Sequence, residues 1–137
     1  MKIELVKNPD KQLADFFEEQ IEAFNFARWE VKEKKLLAVV VKDNEEKILA
    51  GAAGKTFGLW LLLDNLWVSE SCRGQNLGSV ILALMEKTAT ERGCRYVLLE
   101  TLNFQARPFY EKFGYVNVWT QKFYPREGCK YFMVKNI

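Results

Sequence analysis

The sequence has no histidine among its 137 residues, and it has only three cysteines. The absence of histidine nearly excludes zinc sites and catalytic pairs in which histidine activates a serine or a cysteine. Cys72, Cys94 and Cys129 lack the spacing of metal ligands, so each is interpreted as a small, partly buried apolar residue. A general base in this chain would therefore have to be a carboxylate.

The chain also lacks a strong charge of either sign and a long apolar run. Its 20 basic and 18 acidic residues give a net charge of +2 without any basic cluster, which argues against a nucleic-acid partner. The longest apolar stretch, LWLLLDNLWV, is interrupted by Asp64 and Asn65 and is too short to span a membrane. The charged N-terminus does not resemble a signal peptide. We expect a cytoplasmic monomer or homodimer without a membrane or nucleic-acid partner, with one domain over residues 1–137.

Apolar periodicity predicts an α+β protein built on a mixed sheet. KIELV predicts a first strand at residues 2–6, and helical spacing predicts a helix from Lys11 to about Trp29. The other predicted strands cover residues 36–43, 48–57, 59–68, 95–101, 115–123 and 129–137, and the other predicted helices cover residues 77–93 and 105–114. Aromatic residues make up 14% of the chain, which indicates a dense core, a pocket with aromatic walls, or both.

The segment CRGQNLGS, residues 72–79, lies where the strand LWLLLDNLWV ends and the following helix begins. The first N–H groups of a helix lack intrahelical partners and carry partial positive charge, so this junction suits an anion. Gly74 and Gly78 allow close approach to the backbone, and Arg73 adds a cation. The segment has neither a P-loop lysine nor a three-glycine dinucleotide fingerprint. These residues alone do not decide between two interpretations, a pyrophosphate site and a simple glycine turn.

Two motifs in the second half of the chain resemble those of the GNAT N-acetyltransferase superfamily. LWVSESCRGQNLGSVILALME is similar to its acetyl-CoA-binding segment, with Arg73 and Gly78 in place and Asn76 where the first motif glycine is usual. Asparagine tolerates left-handed backbone better than most residues. NFQARPFYEKFGY matches the second motif at Asn103, Ala106, Tyr110, Gly114 and Tyr115. The resemblance covers roughly residues 60–118 and includes short bacterial members of unassigned substrate.

The resemblance implies a layered α/β/α fold with a mixed, mostly antiparallel sheet of six to seven strands, splayed between the fourth and fifth strands. In the family, the pyrophosphate of acetyl-CoA lies on the loop before the helix, and its pantetheine lies beside the central strand. The residues implied for acetyl-CoA binding are Leu66, Trp67, Val68, Arg73, Gly74, Gln75, Asn76, Leu77, Gly78, Ser79, Asn103, Ala106 and Tyr110. Asn103 has a second interpretation as an ordinary helix N-cap or Asx-turn residue.

The implied reaction is direct attack of a primary amine, of a small molecule or peptide, on the acetyl thioester. Tyr110 matches the family tyrosine that gives a proton or hydrogen bond to the leaving sulfur, although by itself it reads as a helix-packing aromatic. Asp64, Glu100 and Glu30, in that order, are candidates for the general base, and an amine that arrives neutral needs none. Strand alternation places Asp64 on the face of Leu66 unless a bulge intervenes.

The acceptor pocket is expected to draw on both ends of the chain. Its candidate residues are Asn25, Phe26, Trp29, Glu30, Trp60 and Trp119. Aromatic walls with a carboxylate suit a cationic amine, although any one of these aromatics is more often a core residue. The alternative function is a non-catalytic CoA or acetyl-CoA-binding module or sensor, favoured by Asn76 in the loop and by the absence of an obvious base. A nucleic-acid-binding domain is disfavoured by the near-neutral charge.

Overall fold

The computed structural model describes all residues from Met1 to Ile137 and divides the chain into two compact units, Met1–Lys32 and Glu33–Ile137. None of its helices is both long and apolar enough to cross a membrane. The first unit contains helix α1, Lys11–Phe26, which ends close to the expected position. The Asp10 side chain begins this helix by accepting a 2.9 Å hydrogen bond from the N–H of Leu13.

The prediction of a strand at residues 2–6 is wrong. These residues form no strand, and all of them are exposed. A strand is stable only where a neighbouring strand satisfies its backbone N–H and C=O groups. The alternation in KIELV carries no information about whether such a neighbour exists, so the pattern was insufficient here.

The second unit contains six strands and two α-helices, in positions close to those expected from the sequence. In chain order they are β1 Lys35–Lys42, β2 Ile48–Phe57, β3 Trp60–Val68, α2 Leu77–Glu91, β4 Tyr96–Leu102, α3 Arg107–Lys112, β5 Val116–Lys122 and β6 Cys129–Asn136. A short 3₁₀ helix, Glu70–Cys72, lies between β3 and α2. Pro108 lies in the first turn of α3, where a residue without an N–H loses no helical hydrogen bond.

The six strands form one sheet in the order β1-β2-β3-β4-β6-β5. Only the β3–β4 pair is parallel, and the other four neighbouring pairs are antiparallel. One face of the sheet packs on α2, whose Ile81 and Met85 are completely buried with Leu61, Val97 and Met133 of the strands. The opposite face, which we call the far face, carries the side chains that alternate with these core residues.

The two central strands pair only over their first halves. Parallel pairing of β3 with β4 runs from Trp60 opposite Tyr96 to Leu63 opposite Leu99, and no pairing is present beyond that point. From there β3 continues only with β2, and β4 continues only with β6. These are the fourth and fifth of the strands predicted from the sequence, because the first predicted strand is absent. The expected splay is therefore present, and it leaves one backbone edge of β3 without a strand partner.

A bulge in β3 decides the orientation of its acidic residue. Ala53 of β2 lies opposite Asn65, whereas the next residue, Gly54, lies opposite Leu63, so Asp64 has no partner in β2. The condition for placing Asp64 on the face of Leu66 therefore fails. Leu63 and Leu66 both pack in the core, while Asp64 is exposed. An extra residue in one strand reverses the alternation beyond it.

Candidate active site

A cleft of about 300 Å³ occupies the gap where β3 and β4 separate. Three of its lining residues are the predicted catalytic candidates Asp64, Glu100 and Tyr110. Asp64 comes from β3, Glu100 from β4 and Tyr110 from α3, so the splay of the sheet brings together side chains that are distant in sequence. The predicted base Glu30 belongs to the first unit, and its role stays a prediction.

A second cavity, of about 390 Å³, runs past the N-terminus of α2, and we call it the groove. Nine of the residues implied for acetyl-CoA binding line it: Leu66, Val68, Arg73, Gly74, Asn76, Leu77, Gly78, Ser79 and Ala106. Leu66 and Ala106 also line the cleft. The groove and the cleft therefore adjoin, and one elongated ligand can occupy both.

The N-terminus of α2 presents unpaired backbone donors to the groove. Asn76 has left-handed backbone with φ 59° and ψ 18°, and its side chain makes no capping hydrogen bond. The first hydrogen bond of the helix runs from the N–H of Val80 to the Asn76 carbonyl, at 3.2 Å, so the N–H groups of residues 77–79 precede it. Arg73 Nε donates to the Val68 carbonyl at 3.3 Å, which holds the guanidinium beside these donors. Together they make an anion site.

Two glycines shape this site in different ways. Gly74 has φ +81°, a backbone conformation that other residues adopt only with strain. Gly78 has ordinary helical backbone, but a Cβ there would lie 3.3 Å from Cζ of Phe109. Gly78 therefore lets the Phe109 ring pack closely on the start of α2, and its own backbone conformation does not call for a glycine.

Tyr110 is one of two buried residues with a hydroxyl group that line the cleft, and Thr101 is the other. Tyr110 is 7% exposed, and this burial raises the pKa of its phenol above the usual value. Its ring makes edge-to-face contacts with Phe109 at 5.2 Å and with Tyr115 at 5.6 Å between centroids. A phenol in this environment keeps its proton at neutral pH and can donate it to a developing anion.

The two carboxylates of the cleft each have a lysine partner. Asp64 Oδ2 lies 3.5 Å from Lys55 Nζ, and Glu100 Oε2 lies 3.4 Å from Lys130 Nζ. Both carboxylate side chains are about half exposed, at 48% and 54%, so these ion pairs are weak and exchangeable. Tyr110 approaches from the α2 side of the sheet, while the carboxylates lie on the far face. The cleft thus has a proton donor on one side and possible proton acceptors on the other.

Asn103 has a different local role from the N-cap considered for it. The N-cap of α3 is Ala106. The Asn103 side-chain oxygen accepts from the N–H of Cys129 at 3.1 Å, and its backbone N–H donates to the Cys129 carbonyl at 3.0 Å. Asn103 therefore ties the end of β4 to the start of β6, and its contact with pantetheine stays a prediction. Trp67 and Gln75 are exposed and do not line the groove.

The acceptor candidates divide between the two units. Asn25, Phe26, Trp29 and Glu30 belong to the first unit, and their role stays a prediction. In the second unit, Trp60 stacks on Tyr96 at 4.9 Å, at the end of the paired β3–β4 segment away from the cleft. Trp119 stacks on Phe132 at 5.0 Å, and Phe132 lies directly opposite Glu100 in the sheet.

Several residues of these cavities, among them two cations and three aromatic residues, were not singled out from the sequence. Phe109, Lys112 and Phe113 line the groove, and Tyr124 and Lys130 line the cleft. Phe109, Lys112 and Phe113 all fall inside the motif NFQARPFYEKFGY, so the motif was the signal that could have pointed to them. Tyr124 and Lys130 come from the β5–β6 hairpin, whose position beside the cleft depends on strand order.

Comparisons with known proteins agree with this geometry. The model of the acetyltransferase (GNAT) family matches residues 5–115. An acetyltransferase of Agrobacterium fabrum is 31% identical over 96 residues, 70% of each chain, and blasticidin-S acetyltransferase of Streptomyces morookaense is 35% identical over 92 residues, 66% of this chain and 68% of the relative. The crystal structure of an acetyltransferase from Agrobacterium tumefaciens superimposes over 100% of both chains with a TM-score of 0.91 and 25% identity.

Proposed function

The chain belongs to the GNAT acetyltransferase family, and from that premise we propose that it transfers the acetyl group of acetyl-CoA to a primary amine by direct attack. The observation that carries this proposal is the continuity of the groove with the cleft through Leu66 and Ala106. The groove has the donors for a pyrophosphate, and the cleft has groups that can move protons at the reacting end. When bound, acetyl-CoA supplies an acetyl thioester that an amine can attack.

The residues present fit acetyl-CoA along its length. The anion site at the N-terminus of α2 suits the pyrophosphate, and Arg73 and Lys112 add cations to the groove. The backbone edge of β3 beyond Leu63, which has no strand partner on the β4 side, suits the amide groups of pantetheine in the manner of an added strand.

The cleft residues have separate roles in the proposed reaction. As the amine nitrogen bonds to the carbonyl carbon, the carbon–sulfur bond breaks and the electron pair goes to sulfur. Tyr110 donates a proton or a hydrogen bond to that sulfur, which its protonated phenol allows. Asp64 takes the proton that the amine loses, directly or through water, and Glu100 is the alternative acceptor. Both carboxylates line the cleft, and we rank Asp64 first because it belongs to β3, the strand whose free edge would hold pantetheine.

The proposed acceptor is a small molecule. Blasticidin-S acetyltransferase, a relative of similar length, acts by its name on one. The cleft volume of about 300 Å³ fits an amine of that class at the reacting end. Both carboxylates are exposed enough to receive an ammonium group before it loses its proton.

Calorimetric titration with acetyl-CoA and with CoA tests the cofactor part of the proposal. We expect micromolar binding by the wild-type chain and several-fold weaker binding by Lys112→Ala. Lys87→Ala, an exposed lysine of α2 outside the groove, is the matched control and should bind like the wild type. Absence of binding by folded protein would overturn the assignment of the groove.

An amine panel with detection of the released thiol tests the transfer step. Release that depends on the amine, with loss of activity in Tyr110→Phe, supports direct transfer through the cleft. Tight acetyl-CoA binding without thiol release over primary amines of differing size and charge would favour a non-catalytic acetyl-CoA-binding module instead.

A further inference from the structure

A row of side chains crosses the far face of the sheet at the cleft. From β2 to β5 the row contains Lys55, Asp64, Glu100, Phe132 and Trp119. An ion pair joins the first two, and Asp64 and Glu100 line the same cleft. Strand pairing then places Phe132 opposite both Glu100 and Trp119. Asp64 and Glu100 line a further cavity of about 240 Å³ on this face. The row therefore begins with charge at the reacting gap and ends with two aromatic rings.

The aromatic end of the row, which we call the shelf, is made of the exposed Trp119 and the partly buried Phe132. Their ring centroids lie 5.0 Å apart with 40° between the planes, and Trp119 is 57% exposed. Neighbouring strands are about 4.8 Å apart, so the shelf begins about one strand spacing from Glu100 and extends to about two. A ligand whose amine is in the cleft reaches the shelf through a short link.

Resting on the proposed function, we propose that the acceptor is a primary amine carried on a flat ring, with the ring lying on the shelf and the amine between Asp64 and Glu100. Indole and phenyl faces favour flat partners over saturated ones of equal size. The nitrogen arrives as an ammonium and takes the place of the lysine partners of the two carboxylates, whose half-exposed ion pairs are weak.

The surrounding charges oppose an anionic acceptor. The cations beside the row are Lys55 and Lys130, and each is already held by a carboxylate, at 3.5 and 3.4 Å. Lys130 Nζ also lies 4.4 Å from the centroid of the Tyr124 ring. A carboxylate or phosphate on the acceptor would have to displace these contacts, whereas a neutral ring on the shelf displaces only water.

Binding of two matched amines to the CoA-saturated protein tests the proposal without relying on turnover. The probes are 2-phenylethylamine and 2-cyclohexylethylamine, which share charge, link and ring size. We expect the phenyl compound to bind about five-fold more tightly, within the range of aromatic pair energies. Trp119→Leu should remove this preference, and Phe132→Leu should reduce it. The control is the affinity for CoA, which should be unchanged if the variants are folded.

Tyr96→Leu is the matched comparison, because it removes a second aromatic pair of the sheet, Trp60 with Tyr96, while leaving the shelf intact. The preference should survive in this variant. Loss of the preference in Tyr96→Leu but not in Trp119→Leu would overturn the proposal, as would equal binding of the two amines or no binding of either.

Turnover then separates the two proposals. If 2-phenylethylamine is acetylated and Trp119→Leu lowers its kcat/KM about five-fold while leaving ethylamine unaffected, both hold. If amines are acetylated without a ring preference, the shelf is wrong and the proposed function stands. If the ring compound binds in a Trp119-dependent way but is never acetylated, the shelf stands and the transfer reaction is wrong.

Discussion

The hydroxyl of Tyr115 donates a 2.9 Å hydrogen bond to the Glu86 carboxylate, in a part of the protein where both are largely shielded from water. Lys135 Nζ lies 2.6 Å from the other oxygen of the same carboxylate. The cluster joins α2, β6 and the turn after α3. Because the Tyr115 ring also contacts the Tyr110 ring, this cluster helps to hold the ring of the proposed catalytic tyrosine in position.

Tyr115→Phe should lower the free energy of unfolding by about 1–3 kcal/mol, because a shielded carboxylate oxygen loses its donor. The ring contact with Tyr110 is retained in this variant. Urea unfolding followed by circular dichroism measures the effect. Tyr96→Phe, a hydroxyl deletion away from this cluster, should change stability by less. Equal stability of the wild type and Tyr115→Phe would mean that the hydrogen bond contributes nothing net.

We also expect Tyr115 to make the protein less stable at high pH. Burial, then the Glu86 charge and the hydrogen bond to it, raise the pKa of Tyr115 far above its usual value of 10. A pKa raised in the folded state stabilises the protein below the unfolded pKa, and this contribution is lost as pH rises above about 10. Between about pH 8 and pH 11, the wild type should lose more unfolding free energy than Tyr115→Phe. Equal losses of unfolding free energy in the wild type and in Tyr115→Phe would contradict the raised pKa of Tyr115.

Tyr110→Phe should lower kcat by about a hundred-fold while leaving the acetyl-CoA dissociation constant nearly unchanged. The substitution keeps the ring and its packing and removes only the proton that the leaving sulfur would receive. Steady-state kinetics with thiol detection and calorimetry measure the two quantities. Tyr96→Phe serves as the control for a hydroxyl deletion. Wild-type kcat in Tyr110→Phe would exclude the acid role.

Gly78→Val should weaken acetyl-CoA binding by at least about ten-fold, or 1.4 kcal/mol. Its side chain would start 3.3 Å from the Phe109 ring and close the groove. Ala83→Val places the same branched side chain on an exposed position of the same helix and should bind normally. If a folded Gly78→Val variant binds acetyl-CoA with unchanged affinity, the pyrophosphate and pantetheine do not bind in this groove.

Asp64→Asn should lower kcat/KM about a hundred-fold, more than Glu100→Gln does, because a general base contributes an effect of that order. Both changes preserve size, so acetyl-CoA binding should survive in each. Rates are measured with one amine over a pH range. A larger defect in Glu100→Gln would exchange the roles of the two carboxylates, and two mild defects would mean that the amine arrives neutral.

Most elements of the second unit were predictable because their signals are local. Runs such as LLAVVVKD and ILAGAAGKTF mark strands, and they appear at Lys35–Lys42 and Ile48–Phe57. The N-terminal segment KIELV shows the limit, because pairing depends on what lies beside a strand. The bulge at Asp64 is a second case, since it exists only in the register between β2 and β3.

The sequence by itself determined the chemistry that is possible here: no histidine, a glycine-containing helix start at residues 72–79, and a tyrosine motif that identifies the family. The tertiary structure decided which groups meet. Asp64, Glu100, Tyr110 and Lys130 share one cleft only because β3 and β4 separate after Leu63 and because β6, not β5, lies beside β4. Strand order and register depend on long-range packing of the whole sheet, and no local pattern carries that information.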